Sequence, residues 1–228
     1  MKLSKIVQYQ EYMFSVIKKQ YAEAEHSLDF CIVLAKEGVD CYTHSFLLQN
    51  KGDLYYLKGE NKKAIQYYQE SERVAEGAAL PMYHFAKFMA DSLHEYSQAI
   101  DKCQEVIDLV SSAEWTNGDD ELDKNYYLAQ CNALQGFLYA LGEDFPNALL
   151  CLKQLLPIKT IFTLNYDLKL CEALKKKGFY KEVQPYLKNL LKKAEKSLDQ
   201  EEFAGYIAEI KRLLTESQER TSGDDSDF

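Results

Sequence analysis

Apolar residues recur along this chain at helical spacing. They run from Ala64 through Ile65 and Tyr68, and from Ala99 through Ile100, Cys103, Val106 and Ile107. Two further runs pass from Ala148 through Leu149, Leu152 and Leu155, and from Val183 through Leu187, Leu190 and Leu191. Steps of three and four residues put each set on one face of an amphipathic helix. An aromatic stands three residues before the small residue that opens a run, in Tyr21–Ala24, Tyr96–Ala99, Phe145–Ala148 and Tyr180–Val183; Asn61–Ala64 keeps only the alanine. The small members lie 40, 35, 49 and 35 residues apart, a repeat period of the length that builds helical arrays. A second helical segment precedes each run and ends at a glycine or polar break, as in Leu57–Lys58–Gly59–Glu60 and Leu141–Gly142–Glu143–Asp144. The predicted unit is a helical hairpin.

Departures from the period locate the irregular parts. The interval of 49 implies an insertion, placed at residues 111–125, where Glu114, Asp119, Asp120, Glu121 and Asp123 accompany the single tryptophan, Trp115. It lacks the alternating oxygen ligands and central glycine of a calcium loop. It reads as a solvated loop in which Trp115 is a candidate contact residue. The interval of 40 places a smaller extension at residues 36–41, with Gly38 as a helix stop. Pro146 fits a first helical turn capped by Asp144, whereas Pro185 requires a late helix start or a kink. A last amphipathic segment, from Glu201 to Leu214, aligns Phe203, Ile207, Ile210, Leu213 and Leu214, with Asp199 as N-cap and Glu202 completing the capping pattern. Such a helix covers the exposed apolar face of a final repeat. One domain over residues 1–216 and an acidic flexible tail over 217–228 are expected.

The segment LLQNKGDLYYLKGENKKAIQYYQES places Gly52, Tyr55, Gly59, Ala64 and Tyr68, and NALQGFLYALGEDFPNALLCL places Gly136, Tyr139, Phe145, Ala148 and Leu152. In this spacing of small and large packing positions the chain resembles the tetratricopeptide repeat family, over residues 5 to 197. Tyr12, Lys87 and Cys171 stand where the family prefers glycine in the other three copies. The resemblance implies an all-α fold: a right-handed superhelical array of about five helix–turn–helix repeats plus a C-terminal capping helix. It also implies a concave groove lined by the first helix of each hairpin. The predicted partner-binding groove is then Gln49, Asn50, Asp53, Tyr56, Phe85, Phe88, Gln130 and Phe137, with Tyr9, Met13, Val16 and Leu134 also turned inward. Amides there can bond a peptide backbone and aromatics can form pockets. Some family members hold a C-terminal carboxylate with paired Lys and Asn. Asn50 matches one such slot, but Tyr9, Met13 and Phe85 occupy the rest, so that clamp is not expected.

Composition narrows the chemistry. The 228 residues carry 27 Lys plus Arg against 36 Asp plus Glu, a net charge of -9, which argues against a nucleic-acid binder. Arginine is limited to Arg73, Arg212 and Arg220, so bidentate phosphate or base recognition is also disfavoured. Between Lys169 and Lys196 nine lysines face only Glu172, Glu182 and Glu195. Lys175, Lys176 and Lys177 are therefore secondary contact candidates that would tune association rate. No apolar run is long enough to cross a bilayer, and the first residues do not read as a secretory signal, so a cytoplasmic protein is expected. Six cysteines and four histidines are scattered, without metal-ligand spacing; the cysteines are predicted to be free thiols, most of them in the core. No nucleotide loop, nucleophile elbow or metalloprotease motif occurs. The expectation is a non-enzymatic module, without cofactor or metal, that binds a protein or peptide as an adaptor or regulator. Two narrower readings compete. One is a peptide-sensing regulator similar to the repeat portions of bacterial Rap- and Rgg-type proteins, with no DNA-binding domain because the array begins at the N-terminus. The other is an acidic immunity or inhibitor protein that occludes a basic enzyme.

Overall fold

Every regular element among the described residues is helical. A computed structural model describes residues 7–37, 41–112, 121–158, 166–196 and 204–224. Trp115, Gly38, Asp199, Glu202 and Phe203 therefore lie outside the described residues, as does most of the 111–125 insertion. Two compact units, Met1–Leu93 and His94–Phe228, divide the span expected to form one array. The first unit holds α1 (Val7–Ile17), α2 (Tyr21–Glu37), α3 (Cys41–Leu57), α4 (Asn61–Val74) and α5 (Ala79–Phe88), the last continued by a π-helical stretch, Met89–Leu93. The second unit holds α6 (Tyr96–Ser111), α7 (Glu121–Leu141), α8 (Phe145–Leu155), α9 (Asp167–Lys176), α10 (Tyr180–Ala194) and α11 (Ala204–Asp224).

The spacing pattern has a direct structural counterpart in the turns. Two residues before α2, α4, α6, α8 and α10 the backbone turns left-handed, at Lys19 (φ 58), Gly59 (φ 78), His94 (φ 57), Glu143 (φ 61) and Gly178 (φ 93). Four of these turns carry the same bond pair that closes a helix with a left-handed residue. Gln20 and Lys19 N–H donate to Ser15 and Val16 O, Glu60 and Gly59 to Tyr55 and Tyr56 O, Asp144 and Glu143 to Tyr139 and Ala140 O, and Phe179 and Gly178 to Leu174 and Lys175 O. At the fourth turn the left-handed residue is Glu143 rather than Gly142, so the glycine break expected there falls one residue late. Three residues into each following helix sits the predicted small residue. Ala24, Ala64, Ala99, Ala148 and Val183 are all fully buried.

The small slot twelve residues earlier holds Tyr12, Gly52, Lys87, Gly136 and Cys171 in the five hairpins. At Gly52 a Cβ would fall 2.7 Å from the Tyr68 ring, and at Gly136 it would fall 2.7 Å from Leu170 Cδ2 and 2.9 Å from Cys151 Cβ. Glycine is required at both because the neighbouring helix lies in the space a side chain would take. In the first hairpin Tyr12 takes the slot, is buried, and joins Ala24, Leu28, Cys31, Ala35, Leu47 and Leu54 in a core shared by α1, α2 and α3.

The proline positions resolve plainly. Pro146 lies in the first turn of α8 behind Asp144, whose carboxylate accepts the Asn147 N–H at 3.3 Å. Pro185 lies inside α10, which begins at Tyr180, so the helix does not start late. In the second unit α7 packs on α6, α8 and α9, and α11 packs on α9 and α10. Ile210, Leu213, Leu214 and Ser217 of α11 are buried there. Its backbone stays helical through Asp224, overlapping the stretch expected to be a flexible tail. No helix among the described residues is long and apolar enough to cross a membrane.

Candidate functional site

Half of the predicted groove in the first unit is occupied by the protein's own packing. Phe85 and Phe88 are buried, and both stack on Tyr68, with ring centroids 5.5 and 4.5 Å apart. Gly52 makes room for the Tyr68 ring, whose hydroxyl donates to Asp53 at 2.6 Å. Gln49 is buried and donates to Ser71 Oγ at 3.2 Å, while Ser71 bonds to Ser45. These three predicted anchors are internal because α3, α4 and α5 close over them. Asn50, Asp53 and Tyr56 keep access to solvent. Asn50 donates to Phe46 O at 2.8 Å, and its carbonyl accepts from the Tyr12 hydroxyl at 3.3 Å. Tyr56 meets Phe88 edge-on at 5.5 Å. Asp53 is exposed as a residue but hemmed in by aromatic neighbours, and this crowding pushes its carboxyl above the usual range, opposed by the Tyr68 hydroxyl and by Lys87.

The remaining candidates lie in the second unit. Gln130 is buried, while Phe137 is half-buried against Tyr166 at 6.0 Å, with Lys169 above both rings. Of the three consecutive lysines, Lys176 and Lys177 are exposed, paired with Glu172 at 3.3 Å and Glu143 at 2.6 Å. Lys175 departs from the expectation of an exposed contact. It is 6% exposed and bonds Glu216 of α11, because the face of α9 that carries it is covered by the terminal helix. All six cysteines are free, and only Cys41 is exposed.

Sequence reasoning missed one candidate site in the second unit. A cavity of about 540 Å³ opens between α6, α7 and α8, within the range of ligand-binding pockets. Asn125, Leu128, Asn132, Gln135 and Tyr139 supply its α7 side, at alternating steps of three and four residues that form one helix face. Gln130 and Phe137 lie on the other face of α7, since two residues turn a helix by about 200°. Gln104 and Ile107 of α6 form one wall; Asn147, Leu150, Cys151 and Gln154 of α8 form the other, closed by Pro157 and Ile158. Among the described residues, six of those lining the cavity are amides and none is charged, in a chain of which 28% is charged. The available signal was the helical spacing of amides within α7, but isolated Asn and Gln read as ordinary surface. No group of His, Cys, Asp and Glu among the described residues is arranged to hold a metal ion.

Asp167 is fully buried at the start of α9, where it accepts from the hydroxyls of Tyr186, at 2.9 Å, and Tyr206, and from Leu168 N–H at 2.7 Å. Burial pushes its carboxyl up to about 6, against these bonds, which favour the charged form. The group ties α9 to α10 and α11. No protein-family model matches the chain, and no curated protein matches it either.

Proposed function

We propose that this chain is a helical-repeat module of the tetratricopeptide type that binds a peptide or a peptide-like segment of another protein, without catalysing a reaction. Five hairpins with a left-handed turn at the same position and a buried small residue at the same place support the repeat reading. On that reading the hairpins stack into a right-handed superhelix closed by α11. The observation that carries the binding role is the charge-free, amide-lined cavity between α6, α7 and α8. A binding role also agrees with amides placed between aliphatic side chains, which supply hydrogen bonds and burial together.

Panning a displayed random-peptide library on the immobilised full-length chain tests the proposal. Enriched peptides should bind in the micromolar range or tighter and should slow backbone hydrogen exchange in α6, α7 and α8. A library that yields no specific binder, or binders that protect none of these helices, would count against it.

A further inference from the structure

Four of the six amides lining the cavity are held in one orientation. Asn132 Nδ2–H donates to Leu128 O at 2.7 Å and Gln135 Nε2–H to Ile100 O at 3.0 Å. Asn147 Nδ2–H donates to the Asp144 carboxylate at 2.7 Å, and Gln104 Nε2–H to the Asp108 carboxylate at 2.8 Å. Each acceptor is a carbonyl or carboxylate oxygen with no hydrogen to give, so the tethered atom must be the nitrogen and none of these amides can be flipped. What the tethers leave for a ligand is in each case the amide oxygen, accompanied in Asn132, Asn147 and Gln104 by the nitrogen's second hydrogen; the Gln104 oxygen is met by Gln135 Nε2, at 3.5 Å. Donation from the same amide's nitrogen polarises that oxygen and makes it a better acceptor. Asn132 and Gln135 are 8% and 3% exposed, so a donor reaching them leaves water almost entirely. That step is favourable only if the hydrogen bonds are made.

We infer that this cavity takes the backbone of an extended, uncharged peptide segment, whose N–H groups donate to the amide oxygens of Asn132, Gln135 and Asn147. The inference rests on the peptide-binding reading above and specifies the ligand's chemistry. Length supports it. From Asn125 to Tyr139 the α7 face runs about 21 Å at 1.5 Å per residue, which an extended chain covers in about six residues at roughly 3.4 Å each. Charge supports it as well. None of the lining residues could neutralise an ionic group, and burying an unpaired charge is costly. Between the amides stand Ile107, Leu128, Leu150, Pro157 and Ile158, which suit small aliphatic side chains alternating along a strand. A neutral sugar would also offer hydroxyl donors, but its flat apolar faces want aromatic platforms, and among the described residues of the lining Tyr139 is the only aromatic.

The test uses the full-length chain and two libraries of capped hexapeptides. One is built from Ala, Val, Leu, Ile, Ser and Thr, and the other has Lys or Glu at its two central positions. Uncharged members should bind, with affinity changing less than about twofold between about 50 and about 500 mM salt. N-methylation of alternate residues in the best binder should weaken it at least about tenfold, because the side chains remain while the N–H donors go. Asn132→Leu, checked for unchanged helicity and melting, should weaken it comparably, and Lys62→Glu, on the exposed face of α4, should leave it unchanged. Binding of the charged library alone would overturn the inference and leave the peptide-binding reading standing. Failure of both libraries would sink the two together. Insensitivity to N-methylation, or preference for neutral oligosaccharides such as maltopentaose over every peptide, would also overturn it.

Discussion

Replacing Gly136 by alanine sets two effects of known sign against each other. Alanine in a helix interior gains about 1 kcal/mol over glycine from backbone entropy and propensity. Against this, the new Cβ would lie 2.7 Å from Leu170 Cδ2 and 2.9 Å from Cys151 Cβ. Leu170 is fully buried and has little room to turn aside, and the Cys151 Cβ is fixed directly to the α8 backbone. Relief therefore requires α8 and α9 to retreat from α7, and overpacking of this kind costs about 1–3 kcal/mol. We expect the steric term to win, for a net loss of up to about 2 kcal/mol. Gly52→Ala should behave alike, since the Tyr68 ring that it strikes at 2.7 and 2.8 Å is pinned by the stacked rings of Phe85 and Phe88. Gly142→Ala is the control. Gly142 follows the end of α7 at Leu141, its Cβ would meet nothing closer than 3.6 Å and its φ is not left-handed, so a gain of about 0.4–1 kcal/mol from reduced freedom of the unfolded chain should stand unopposed. Thermal and urea unfolding followed by far-UV circular dichroism would read the differences, at about 2–4 °C per kcal/mol for a chain of this size. If Gly52→Ala and Gly136→Ala prove as stable as Gly142→Ala, the close-approach role of these glycines is wrong.

Four other outcomes follow from named groups. Asp167 has a folded pKa of about 6, raised above its unfolded value by burial, so the stability it contributes is present at low pH and is lost as pH climbs from about 4 to about 6. The gain from Asp167→Asn should therefore be larger at about pH 7 than at about pH 4 by on the order of 3 kcal/mol; a pH-independent difference in melting would refute this. Lys175→Glu should cost about 3 kcal/mol or more, because it buries a carboxylate beside Glu216, whereas Lys176→Glu should fall within about 0.5 kcal/mol of the parent in urea unfolding. In native thiol titration Cys41 alone should react quickly and the five buried cysteines slowly; two fast thiols would contradict the described burial. Lys19→Gly should raise stability by about 0.5–1 kcal/mol, since an exposed lysine there holds a left-handed φ of 58°, and an unchanged or lower melting temperature would count against that strain.

The helices were legible because their information is local and periodic. Ala24, Ala64, Ala99, Ala148 and Val183 mark positions that the structure buries completely, and their aromatic neighbours flag the helix starts. Lys19, His94 and Glu143 were not legible as turn residues, because nothing in a lysine, histidine or glutamate advertises a positive φ. Burial of the groove aromatics could not be read either. Phe85 and Phe88 share their spacing with solvent-facing residues, and only the ring of Tyr68, admitted by Gly52, turns them inward. Lys175 deceived for a related reason. One residue within a lysine run looks like its neighbours, yet a helical step of 100° separates a buried face from an exposed one.

The amide-lined cavity was hidden by how polar side chains acquire meaning. An asparagine or glutamine on a helix is usually solvated, and its amide presents donor and acceptor alike. Asn132, Gln135 and Asn147 become specific only when their nitrogens are bound to Leu128, Ile100 and Asp144. Two of those partners are backbone carbonyls, which carry no residue identity, and one of the two lies on a different helix. For Gln135 the information that turns an indifferent amide into an oriented acceptor therefore resides in the packing of α6 against α7, which no spacing rule within a single helix contains. The same reasoning explains why the charge of -9 is a poor guide to this cavity. Net charge governs encounter and solubility through the field outside the protein, whereas affinity in a lining without charged residues depends on whether each nearly buried oxygen finds a hydrogen.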